Sequence, residues 1–112
     1  MDCVFCAIVS GEAPAQLLYS DDDVVAFADL HPVAPTHVLL IPRRHYDSLA
    51  DVPPSEEGLV GHLLMVARQL ATEQGLDRGY RLVINTRADG GQTVGHLHLH
   101  LIGGRAMRWP PG

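Results

Sequence analysis

A chain of 112 residues is the size of one domain, since domains typically run to ~100–150 residues, and no second catalytic domain is expected. Hydrophobic residues make up 46% and charged residues 19%, enough apolar material to bury a core and too little charge for a disordered chain. The formal charge of −5 argues against nucleic-acid binding through a broad basic face and leaves a small nucleotide open as a ligand.

All eight basic residues are arginine, which removes Schiff-base chemistry and the P-loop lysine. None of the four serines sits in a Gly-x-Ser-x-Gly elbow. No apolar run approaches the ~20 residues of a membrane span, and the start Met1-Asp2-Cys3 lacks the plan of a signal peptide. The expectation is a cytoplasmic protein with no membrane partner. Cys3 and Cys6 lie too close together to staple a fold, and in a reducing compartment their spacing suggests metal or redox work. Seven histidines in a chain this short are the unusual count.

Val4 to Val9 is short and apolar, bounded by Ser10-Gly11-Glu12 and Pro14, and reads as a helical turn or an N-terminal arm. Gln16 to Tyr19 and Val24 to Phe27 flank Ser20-Asp21-Asp22-Asp23 and predict a hairpin, with the three aspartates as its solvated tip. Pro32 and Pro35 make 29–36 a loop, which feeds a compact buried strand from His37 to Ile41 that Pro42 ends. Apolar residues at 59, 60, 63, 64, 67, 70 and 71 recur at three and four, predicting a helix from Leu59 to Ala71. Ser55, Glu56 and Glu57 suit its start and Gly75 its end. Tyr80 to Asn85 and His96 to Ile102 predict two more strands, separated by the loop Asp89-Gly90-Gly91-Gln92-Thr93. The sum is one α+β domain over 1–112, with a five-stranded antiparallel sheet, one long helix and a short N-terminal one.

His96-Leu97-His98-Leu99-His100-Leu101-Ile102 alternates strictly. On a strand His96, His98 and His100 then share one face, ~7 Å apart, while the leucines pack the core from the other. Imidazole titrates near neutrality, so a neutral ring can serve as nucleophile or base beside others that hold an anion. The upstream Gly90-Gly91-Gln92-Thr93 can bring backbone N–H groups and a hydroxyl close to that anion, because glycine has no Cβ in the way. Three histidines in register next to such a loop make a phosphate-site candidate.

This triplet resembles the signature of the histidine triad superfamily, and the likeness to its Hint branch of nucleoside phosphoramidate hydrolases runs nearly the full length. Asp29-Leu30, Ala34-Pro35-Thr36-His37, Ile41-Pro42, Gly79-Tyr80-Arg81, Asn85 and Asp89-Gly90-Gly91-Gln92 carry it, with Gly103-Gly104-Arg105 and the ending Trp109-Pro110-Pro111-Gly112. The resemblance implies that His98 is the nucleophile that takes the nucleotidyl group covalently and that water then releases the nucleoside monophosphate. It implies that His100 and His37 hold the phosphate, that Asn85 and Thr93 add hydrogen bonds, and that the backbone around Gly91, Gln92 and Val94 cradles it. Asp29 resembles the carboxylate that takes both ribose hydroxyls. Phe5, Ile8, Phe27 and Leu30 resemble the apolar walls around a purine, or serve as plain core. The family forms homodimers with one continuous ten-stranded sheet, and Trp109 would reach the partner's leaving-group pocket. Relatives with glutamine in the third position are transferases, so His100 favours hydrolysis.

Cys3 and Cys6 depart from the eukaryotic Hint pattern. A Cys-x-x-Cys is half of a zinc site, and zinc takes four ligands in a tetrahedron. Other superfamily members complete it with histidines at the positions of His45 and His96, which implies structural zinc on Cys3, Cys6, His45 and His96. The alternative is two free thiols with His45 on the surface. His31 and His62 read as solvated or packed side chains, and Arg105 and Arg108 as surface charges. Two other functions stay open: a dinucleoside polyphosphate hydrolase using the same triad, and a zinc-bearing interaction module that binds a nucleotide without turning it over.

Overall fold

The computed structural model describes residues 3–112. Its elements in chain order are α1 (Val4–Ser10), β1 (Leu17–Ser20), β2 (Val24–Ala28), β3 (Thr36–Pro42), α2 (Glu57–Glu73), β4 (Tyr80–Val83) and β5 (Leu99–Gly103). The strands form one antiparallel sheet in the order β1-β2-β3-β5-β4. The N-terminal segment left open as turn or arm is a helix, capped at its start by Cys3, whose Sγ accepts from the Cys6 amide.

Alternation along the central strands decides what each face carries. Val24 and Ala26 of β2, Val38 and Leu40 of β3, and Leu99 and Leu101 of β5 point to one face and pack with Leu63, Val66, Ala67, Leu70 and Ala71 of α2. Val25, Phe27, Leu39 and Ile41 point to the other face and pack with Phe5 of α1. The sheet interior is therefore buried on both faces, and each fully buried leucine or isoleucine contributes roughly 1.5–3 kcal/mol. His37 opposes Ile102 and Leu39 opposes His100, so His37 and His100 are diagonal neighbours on the α1 face.

Helix α2 ends where Gly75 adopts φ 73°, with the Leu76 amide reaching back to the Ala71 carbonyl at 2.9 Å. Its start differs from expectation. Pro54–Glu56 form a 3₁₀ turn, Ser55 lies inside that turn, and the cap position, Glu56, makes no side-chain hydrogen bond. The proline pair sets the approach to the helix, and a serine one residue too early does not cap it.

Two strands are shorter than their patterns. β5 begins at Leu99 because residues 96–98 are tied elsewhere: the Leu97 amide donates to the Tyr46 carbonyl at 2.7 Å and His96 Nε2 donates to the Pro42 carbonyl at 2.9 Å. Val83 is therefore the last β4 residue with a ladder partner, and Ile84 and Asn85 run on as coil.

Asp21 is not a solvated tip. Oδ1 accepts from the Asp23 and Val24 amides at 2.8 Å each, and Oδ2 accepts from Tyr19 at 2.6 Å and from His62 of α2 at 2.7 Å. Burial alone would push this carboxyl up, but the four hydrogen bonds together hold it well below the usual carboxylate range. Asp21→Ala is expected to cost about 1–3 kcal/mol in urea unfolding at pH 7. A carboxyl depressed in the folded state stabilises fully above its unfolded value near ~3.9 and less as the pH falls toward its folded value. The gap between wild type and variant should thus narrow below about pH 4, and a gap constant from pH 7 to pH 3 would contradict the assignment. No described helix is long and apolar enough to cross a membrane.

Candidate functional site

The α1 face of the sheet gathers the histidines. His98 and His100 have ring centroids 5.0 Å apart, and His37 and His100 5.1 Å apart. His37 and His98 are buried. Phe5 packs edge-on against His98 at 5.2 Å and His96 at 5.9 Å, between the two rings.

Hydrogen bonds to backbone fix the tautomers, because an amide N–H can only donate and a carbonyl can only accept. The Val33 amide donates to His37 Nδ1 at 3.1 Å, so the proton of a neutral His37 sits on Nε2. That Nε2 lies 2.9 Å from His100 Nδ1, which must accept, and the His100 proton is thereby placed on Nε2. His100 Nε2 is the one buried side-chain nitrogen or oxygen without a partner among the described residues. A buried donor left unsatisfied costs about 1–3 kcal/mol unless a ligand takes it. His98 Nδ1 donates to the His96 carbonyl at 2.7 Å, which leaves the lone pair on Nε2. Burial first, then the neighbouring His98 and His37, push His100 down to about 4, so at neutral pH it is an uncharged donor.

Asp29 stands beside His37, with Oδ2 3.3 Å from Nε2. Asp29, His37 and His100 place one ligand atom each within 4.8 Å of one another, the geometry of a possible metal site. The tautomer argues against that use. A metal on His37 Nε2 would require the proton on Nδ1, where the Val33 amide already donates.

The second cluster gives the opposite answer. Cys3, Cys6, His45 and His96 bring their ligand atoms within 4.8 Å. Cys6 Sγ lies 3.3 Å from His45 Nδ1, and Cys3 and Cys6 Sγ lie 3.4 and 3.6 Å from His96 Nδ1. A tetrahedron with Zn–S of about 2.3 Å and Zn–N of about 2.05 Å has S···N edges of about 3.6 Å. Both histidines are set to ligate through Nδ1: His45 Nε2 donates to Asp47 Oδ1 at 2.7 Å, and His96 Nε2 to the Pro42 carbonyl. Although burial opposes it, hydrogen bonds from the Cys6 amide and side chain, then His45, lower the Cys3 thiol, while burial and then Cys3 raise Cys6. The donor set, its spacing and its outer partners fit a closed structural zinc site. Asp47 was missed in the sequence, although a carboxylate two residues after a ligating histidine was the available signal.

The glycine loop works differently from its expected role. A Cβ on Gly90 would lie 2.5 Å from the Thr86 carbonyl oxygen, so this glycine lets the chain fold against itself. The amides of Gly91 and Gln92 donate to the carbonyls of Ala88 and Arg87 at 3.0 and 3.1 Å, which engages them inside the turn. The Gln92 side chain accepts from the Arg87 amide at 2.8 Å and donates to the carbonyls of Asp47 and Val94 at 2.6 and 2.9 Å. It staples this loop to the one that carries His45. Thr93 is exposed, Asn85 half-buried past the end of β4, and Val94 packs against the Phe5 cluster. Phe27 and Ile8 belong to that same apolar group. Leu30 does not, being 88% exposed on the loop before β3. Trp109 is also exposed.

Comparison with known proteins gives the family of this fold. Residues 10–107 match the HIT domain family. An uncharacterised HIT-like protein from Synechococcus elongatus is 47% identical over 99% of this chain and 97% of its own length. A HIT family hydrolase from Legionella pneumophila superposes with a TM-score of 0.97 at 47% identity, covering 99% of this chain and 100% of that one. A zinc-bound histidine triad protein from Mycobacterium smegmatis gives 0.83 at 36% identity, over 100% of this chain and 85% of that one. With the histidine run, the fold and these relatives in agreement, the chain belongs to the HIT family.

Proposed function

We propose that the protein hydrolyses the P–N bond of purine nucleoside 5′-phosphoramidates, and acyl adenylates by the same route, through a nucleotidyl intermediate on His98. The observation that carries this reading is a pair of tautomers where the chain enters β5: a free Nε2 lone pair on His98 beside an unpartnered Nε2–H on His100. His98 Nε2 attacks the α-phosphorus, the P–N bond breaks, and the amine leaves with a proton. Water then attacks the phosphorus, releasing nucleoside monophosphate and restoring His98. His100 and His37 act as phosphate-side groups, since a fixed neutral donor stabilises charge that grows on phosphoryl oxygens. Asn85, Thr93 and Val94 are assigned to the nucleotide and leaving-group side, and Phe5, Ile8 and Phe27 to the base.

Zinc on Cys3, Cys6, His45 and His96 is assigned a structural part, because four protein ligands leave no position for substrate. The zinc-bound M. smegmatis relative supports this metal. A homodimer is supported by β4, whose outer edge has no strand beside it in the sheet order, and by exposed Leu64, Met65 and Tyr80. Pairing two β4 edges would extend the sheet to ten strands and bring Trp109 toward the partner's leaving-group pocket.

Steady-state turnover of adenosine 5′-phosphoramidate against a dinucleoside polyphosphate, on one preparation, tests the substrate class. A kcat/KM higher for the phosphoramidate by at least about 100-fold, some 2.7 kcal/mol of differential transition-state binding, is expected. The reverse order would make the protein a dinucleoside polyphosphate hydrolase, and nucleotide binding without turnover of either would make it a binding module.

A further inference from the structure

Arg105 reads from the sequence as a surface charge, and its side chain is exposed. In the structure it holds one particular carbonyl: Nε donates to Val33 at 3.0 Å, while Nη1 donates to the carbonyl of its neighbour Ala106 at 3.3 Å. Two features of the fold bring it there. The antiparallel pair β3–β5 runs as far as Thr36 opposite Gly103, so the loop entering β3 and the segment leaving β5 lie side by side. Gly104 then adopts φ 92° and passes so close to Pro35 that a Cβ would lie 2.9 Å from the proline Cβ, an approach that needs glycine.

Val33 is where this contact matters. Pro32 and Pro35 carry no N–H, and among the described residues the hydrogen bonds that tie 30–35 to β3 and to the segment after β5 converge on Val33: its amide donates to His37 Nδ1 at 3.1 Å and its carbonyl accepts from Arg105. Its side chain is 57% exposed, so apolar packing does not hold the residue in place. The amide that puts the His37 proton on Nε2 thus sits on a loop fastened from behind by one guanidinium. We infer that Arg105 is a positioning residue: by holding the Val33 carbonyl it keeps the Val33 amide on His37 Nδ1, and so keeps His37 the donor to His100 and the His100 Nε2–H turned to the substrate's phosphate. This rests on the roles of His98 and His100 proposed above. A His37 ring released from that amide can carry its proton on Nδ1. Its Nε2 then accepts from His100 Nδ1, 2.9 Å away, and His100 Nε2 turns a lone pair on the phosphate where a donor is required. An arginine that only steered an anionic substrate would act on KM and weaken with salt, whereas a strap on the loop acts on kcat at any salt.

The test uses Arg105→Met, which keeps the apolar stem and removes the donors, in full-length ¹⁵N-labelled protein. Hydrogen exchange of the Val33 amide and the ring nitrogen shifts of His37 and His100 are recorded at pH 7, with steady-state kinetics on adenosine 5′-phosphoramidate at low and high salt. The expected result is a Val33 amide that exchanges about 10-fold faster while the amides of β3 and β5 do not change, with shifted His37 and His100 ring signals. The kcat should fall about 10-fold at either salt, the effect of a displaced catalytic group. Val33 and ring signals like those of the wild type overturn the inference. So does a raised KM with unchanged kcat, which would leave Arg105 as a charge that steers substrate. Absence of turnover in the wild type would remove the hydrolase reading, and the Val33 and His37 signals would still decide the positioning role. If the variant does not fold, the wild type decides: an Arg105 Nε–H that exchanges more slowly than that of the exposed Arg78 is expected, and equal rates overturn the inference.

Discussion

Replacing His98 with alanine is expected to lower kcat on adenosine 5′-phosphoramidate by about 10⁴-fold or more, the scale on which enzymes lose a nucleophile. The substitution removes the atom proposed to form the covalent bond, Nε2, whose lone pair is left free by donation from Nδ1 to the His96 carbonyl. It leaves His100 Nε2–H and the His37 ring in place, so adenosine monophosphate should still bind. The His96 carbonyl loses its donor, and an unsatisfied buried acceptor costs about 1–3 kcal/mol, so folding must be checked by thermal unfolding beside the kinetics. Denaturing the wild type in alkali during turnover, where the P–N bond of such an adduct survives, should trap up to one nucleotidyl group per chain on a histidine, and none in the variant. A folded variant that keeps more than a tenth of wild-type turnover would mean that water attacks phosphorus directly.

Stripping the metal should have the largest effect on stability. A ligand that binds only the folded state, present at about 1,000 times its dissociation constant, stabilises by roughly 4 kcal/mol. For a domain of this size 1 kcal/mol is about 4–8 °C, so a chelator that outcompetes the four ligands should lower Tm by about 15 °C or more. Metal analysis of the untreated protein is expected to give about one zinc per chain, and Cys3→Ser should lose it together with the stability. The loss has a structural route: Cys3 caps α1, Cys6 lies on it, and α1 carries Phe5 into the apolar group behind the histidines. A preparation free of metal, with two titratable thiols and an unchanged Tm, would reduce the cluster to a set of hydrogen bonds.

The sequence made the periodic part of this molecule readable. The hairpin, the buried strand after Pro35, the helix ending at Gly75 and the alternation of histidine with leucine each depend on neighbours a few residues away, which a pattern records. What it hid depends on partners far along the chain. Nothing near His96 announces that its ring and the following amide belong to Pro42 and Tyr46, so the strand was started three residues too early. Asp21 looked like one of three interchangeable aspartates until His62 of α2 singled it out. Gly90 was a glycine in a loop beside a phosphate site, and the atom that requires it is a carbonyl of the same loop. The tautomers of His37, His98 and His100 were equally out of reach, because each is set by a main-chain group and not by a residue type.

The interleaving of leucine and histidine on β5 also acts as a proofreading device. A slip of one residue in the pairing of this strand would turn Leu99 and Leu101 out of the α2 core and send His100 into it. Exposing two such leucines would forfeit on the order of 3–6 kcal/mol at ~1.5–3 kcal/mol each, a large share of the stability of an ordinary domain of ~5–15 kcal/mol. A chain with its reactive ring misdirected is therefore a chain that has not folded, and a preparation should hold no well-folded but inert fraction arising from shifted register.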